Sequence, residues 1–69
     1  MLIKISNNSL IINKESLNEF EVVFVYRYLN ENVKYYLIDT EKKYYVSASK
    51  EKLFDVIHGL SQHCDIEIM

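Results

Sequence analysis

The chain has 69 residues, a formal net charge of −2 and 49% apolar side chains. That length allows one domain, residues 1–69, and a chain this short buries only roughly 60% of its unfolded surface, so a lone monomer is marginally stable. The acidic balance disfavours nonspecific binding to nucleic-acid phosphates or anionic membranes, both of which require clustered Lys and Arg. Arg27 is the single arginine.

Proline is absent and Gly59 is the single glycine, so no linker and no glycine-rich phosphate loop can be assembled. No apolar run approaches the roughly 20 residues of a membrane span. Met1–Ser6 alternates instead of forming the continuous apolar core of a secretory leader. The expected location is the cytoplasm, where the one thiol, Cys64, suits a reducing environment.

The first six residues alternate as a strand. Asn7-Asn8 then marks a tight turn, because Asn tolerates positive φ. Ser9–Asn13 completes an N-terminal hairpin. Lys14–Glu19 is polar except for Leu17 and reads as a loop or a single helical turn, with Asn13 as its cap. Phe20–Leu29 carries three valines and four aromatics in ten residues, which is strand chemistry. Asn30–Asn32 turns it, Val33–Thr40 returns, Glu41-Lys42 turns again, and Lys43–Ala48 follows. These segments predict a three-strand meander.

From Ser49 the period changes. Leu53, Val56, Ile57 and Leu60 recur at helical spacing, with Ser49 as N-cap and Glu51 at the positive end of the dipole. The expected helix covers Lys50–His63 and contains Gly59 or ends at it. Asp65–Met69 alternates as a short final strand. The expected fold is α+β: a small antiparallel sheet, made of an N-terminal hairpin and a three-strand meander, with one C-terminal helix on one face and a short last strand.

One helix covers one sheet face and leaves the other free. Two-residue and three-residue turns place Val23, Val25, Leu29, Val33, Tyr35, Leu37, Tyr44, Val46 and Ala48 on the covered face. They place Phe24, Tyr26, Tyr28, Tyr36 and Tyr45 on the free one. All six tyrosines lie between positions 26 and 45. Aromatic cross-strand pairs can simply stabilise a small sheet. Tyrosine is also enriched at protein interfaces, and aromatics can stack on single-stranded bases. The interface reading makes Phe24, Tyr26, Tyr28, Tyr36 and Tyr45 the expected partner-binding residues.

Catalytic groups are not gathered by the sequence. His58 and His63 are five apart, off the i, i+4 spacing of a helical metal pair. Cys64 beside His63 has no evident orienting group and reads as a small apolar residue. The carboxylates are dispersed. The sequence therefore predicts no enzyme, no metal and no cofactor. It predicts a small protein-binding protein, an inhibitor or adaptor that occupies a partner's surface. Such acidic proteins are carried by phages and mobile elements against nucleases or host defence complexes. A homodimer is expected from the small size and the second sheet face. The alternative is a module binding single-stranded nucleic acid through the tyrosines.

Overall fold

Alternating stretches at the two ends of the chain and one tight hairpin between them build the sheet. In the computed structural model, which describes residues 1–69, Leu2–Ser6 (β1) and Ser9–Asn13 (β2) pair antiparallel. Ile3 lies opposite Ile12, and Ile5 opposite Leu10. The pleat sends Ile3, Leu10 and Ile12 to one face, where all three are buried. A 3₁₀ turn, Lys14–Ser16, follows; the Glu15 N–H donates to the Asn13 side chain at 2.8 Å.

The next segment corrects the sequence reading. Glu19–Val33 is a helix (α1), so Phe20–Leu29 is not the first strand of a meander. Asn18 and Glu21 form a reciprocal capping box. The Glu21 N–H donates to Asn18 Oδ1 at 2.9 Å, and the Asn18 N–H donates to Glu21 Oε1 at 3.0 Å. Val25, Leu29 and Val33, four residues apart, form the buried stripe. Strand preference spans only about 1 kcal/mol and depends on context. Burying each of those three side chains is worth roughly 1.5–3 kcal/mol, so packing decides.

After a 3₁₀ turn at Lys34–Tyr36, Leu37–Asp39 (β3) and Lys43–Ser47 (β4) form the hairpin expected around Glu41-Lys42. Leu37 faces Val46, the expected register. The strand expected from Val33 is shortened to three residues, because α1 runs through Val33. Lys50–Ser61 (α2) starts where Ser49 Oγ accepts the Lys52 N–H at 3.2 Å. It buries Leu53, Val56 and Leu60 and carries Gly59 within its last turn. Glu67–Ile68 (β5) ends the chain's ordered pairing.

The strand order is β3-β4-β2-β1-β5. β2 and β3 each pair antiparallel with β4, so they run the same way and α1 crosses over β4 to join them. β5 pairs parallel with β1, and α2 carries the chain across β2 and β1 to reach it. The sheet is therefore mixed, not wholly antiparallel, and two helices cover it, not one. Both helices pack on the face that carries Ile3, Leu10, Ile12, Tyr44 and Val46, giving a single core of 12 buried residues. The α+β class holds; the opposite sheet face has no covering layer.

Candidate functional site

The five aromatics expected to share one sheet face are distributed over three places. Phe24 and Tyr28 lie on the α1 flank that meets α2, half-buried against the core. Their rings stack at 6.1 Å, and Phe24 meets the His63 ring edge-on at 4.9 Å. Tyr28 also explains Gly59: a Cβ there would overlap the Tyr28 hydroxyl and ring. Tyr26 lies on the opposite flank of α1. Tyr36 is in the turn before β3, at the sheet edge, and 61% exposed. Tyr45 alone sits on the uncovered sheet face, since its neighbour Tyr44 points into the core. The expected single patch is thus corrected: a helix cannot present Phe24, Tyr26 and Tyr28 to one side as a strand would.

The Tyr26 flank forms a shallow groove between α1 and the β3–β4 end of the sheet. Val23 is 60% exposed and Tyr26 46% exposed, whereas Phe20 lines the hollow on the other side of α1 with Gln62 and His63. The groove floor is Tyr44, whose ring lies 6.4 Å from that of Tyr26. Lys14 sits over the Tyr44 ring at 4.3 Å from its centre, pairs with the Asp39 carboxylate and donates to the Thr40 carbonyl at 2.6 Å. Arg27 and Asn30 line the helix side of the same groove. Burial pushes the Tyr44 phenol above its ordinary range, opposed by Lys14 and reinforced by Asp39 and Tyr26. The arrangement is an apolar centre with a charged rim. Nothing in it holds a nucleophile beside a base.

The uncovered sheet face is read from the strand register. Ile38 lies beside Tyr45, Tyr45 beside Ile11, and Ile11 beside Lys4, in one row across four strands. Met69 extends the row past Lys4 and lines the same hollow as Lys4, Ile11 and Leu2. Three serines, Ser6, Ser9 and Ser47, form a second row. The face holds one aromatic, so the stacking platform that motivated a nucleic-acid reading is reduced to Tyr45.

Cys64 is buried, 6% exposed, and burial together with the Glu21 carboxylate pushes its thiol up. A thiol shifted that way is a poor nucleophile at neutral pH. No three His, Cys, Asp or Glu side chains converge as a metal site would require. No helix is long and apolar enough to cross a membrane. Neither a protein-family model, nor a curated protein, nor a solved structure matches the chain.

Sequence reasoning missed Val23, Arg27, Tyr44, Lys14 and Asp39 as neighbours. The signal for them was the Asn18-x-x-Glu21 capping box, which starts a helix and so turns Val23, Tyr26 and Arg27 to one side.

Proposed function

We propose that the protein is a non-catalytic binding protein that acts by occupying a partner's surface, as an inhibitor or adaptor, through the Val23–Tyr26 flank of α1. The observation that carries the reading is the exposure of Val23 and Tyr26 on one side of α1, next to Arg27 and the Lys14–Asp39 pair. Exposed apolar groups inside a charged rim cost solubility unless something covers them. Tyr and Arg are the residue types that dominate interface energies. Glu19 and Glu31, exposed on the same helix, suit a partner with a basic surface. A nuclease or a host defence complex bound by a phage-borne or mobile-element protein is the partner class that fits this chemistry.

The test is affinity capture with the immobilised full chain from cells that encode it, repeated with Val23→Glu and Tyr26→Ala. Truncating a central aromatic should cost about 2 kcal/mol of binding, roughly thirtyfold. Loss of the captured protein in both variants, with unchanged melting, is expected. Equal capture by wild type and both variants would refute the reading.

A further inference from the structure

We propose that the uncovered sheet face packs against the same face of a second copy of this chain, about a two-fold axis that runs along β2. The order of side chains in one row supports this pairing. From β3 to β5 it reads Ile38, Tyr45, Ile11, Lys4, Met69, with each of the first four directly opposite the next. Met69 closes the row because Ile68 is paired with Ile3, one residue back on each strand.

β2 is the middle strand of the five. A two-fold along it exchanges β4 with β1 of the second copy, and β3 with β5. Ile11 then meets Ile11 of the second copy. Tyr45 meets Lys4, an aromatic face under an ammonium, and the symmetry makes this contact twice. Ile38 meets Met69, also twice. Every position in this row acquires a complementary partner; in the row beyond it, Asn13 meets Asn13 and the Lys43 stem meets Leu2, and no two charges of like sign are opposed. In the serine row Ser9 meets Ser9 and Ser47 meets Ser6, small groups that let the two sheets approach to roughly 10 Å. The usual rotation of roughly 30° between stacked sheets leaves the contacts nearest the axis intact and displaces the outer Ile38–Met69 pair most.

The same geometry bounds the strength. Inter-strand and inter-residue spacings give a flat footprint of roughly 20 by 17 Å, under half of the roughly 800 Å² per partner in a standard interface. The dimer is therefore a weak one. It is independent of the α1 groove, which lies on the helix layer.

The test is sedimentation equilibrium of the full chain from about 10 μM to about 1 mM, flanked by circular-dichroism melts. The wild-type mass should rise from 8.2 kDa towards twice that value. Ile11→Lys opposes two lysines at the axis and should leave a monomer at all concentrations; Ile11 is half-buried, so the melts check that the variant stays folded. Tyr45→Lys opposes Lys4 of the second copy and should weaken the dimer at least tenfold. Adding Lys4→Tyr to Tyr45→Lys restores both contacts in exchanged form and should return the affinity to within about threefold of wild type. Within one chain these two positions are separated by Ile11, so their coupling arises only between copies. Val23→Glu should leave the dimer unchanged. A wild-type monomer at 1 mM would overturn the proposal. A folded exchange variant no tighter than Tyr45→Lys alone would overturn it as well. So would a monomer that binds a single-stranded oligonucleotide through Tyr45 and Lys4.

Discussion

The two flanks of α1 have nearly the same composition and opposite fates. On one, Phe24 and Tyr28 pack towards α2, with His63 at the edge of one ring and Gly59 beneath the other. On the other, Val23 and Tyr26 face solvent above Tyr44. The difference comes from what stands beside the helix. α2 supplies a glycine, which leaves room for a ring, whereas on the other side Lys14, from the turn after β2, and Asp39 of β3 form a charged rim around Tyr44. Aromatic composition therefore does not tell a packed flank from a free one; the neighbouring element does.

The largest expected effect lies under both flanks. Leu29 and Leu53 are fully buried. Leu29→Ala or Leu53→Ala should cost roughly 2–5 kcal/mol, much of the stability of a small domain, read as a fall in the urea midpoint. Parent-like unfolding of both would mean that the helices are not packed on the sheet.

The next pair separates the flanks directly. Tyr28→Ala should cost about 2 kcal/mol of stability. Tyr26→Ala should change stability by no more than about 0.5 kcal/mol and reduce partner binding instead. A reversed pattern would exchange the roles of the two flanks.

Gly59 sharpens the comparison through a change of sign. In a helix Ala is favoured over Gly by about 1 kcal/mol, yet a methyl group at 59 displaces Tyr28. Gly59→Ala should destabilise the wild type but stabilise a Tyr28→Ala background by up to about 1 kcal/mol, as a double-mutant cycle would read. Equal effects in both backgrounds would remove the reason given for the glycine.

The smallest effect is alkaline. Each flank has one buried titratable group beside it: Tyr44 below Tyr26, and Cys64 near Glu21. Both have folded pKa values raised above the ordinary 10.0 and 9.0. Their contribution is fully present below those ordinary values. Above them the unfolded chain has already lost the proton that the folded chain still holds, so stability falls as pH rises, and it levels off once the folded groups ionise. The melting temperature should begin to fall near pH 9, and Cys64→Ala should delay the onset towards pH 10. An unchanged onset would assign the early loss to another group.

Most of the sheet was legible because its signals are local. Asn7-Asn8 and Glu41-Lys42 set two hairpins, alternation set Leu37 against Val46, and Ser49 with Leu53, Val56 and Leu60 marked α2. The α1 segment was not, because Phe20–Leu29 is apolar on nearly every side and has no clean period. Its β-branched and aromatic residues favour a strand where nothing else competes. Length was the overlooked discriminator, since a ten-residue segment broken only by Glu21 and Arg27 exceeds the usual strand of four to eight. The register placed Tyr45 correctly outside and Tyr44 inside, but Val23 and Tyr35, expected on the covered face, are 60% and 88% exposed, because a helix and a turn replace the strands that would have turned them inward. Phe24 and Tyr28 were misassigned because helical geometry turns them towards α2. The parallel pairing of β5 with β1 was hidden because nothing local specifies a partner 65 residues away in sequence.

Phe20 and Phe24 test the central claim most directly: they are the same residue type, four positions apart on one helix, with nothing to identify beforehand. Phe20 is 72% exposed, whereas Phe24 is half-buried against Tyr28 and His63. Urea unfolding of Phe20→Ala and Phe24→Ala should show a loss within about 0.5 kcal/mol for the first and about 2 kcal/mol for the second. Equal losses would contradict the claim that the neighbouring groups, not the residue type, decide which aromatics of α1 are packed.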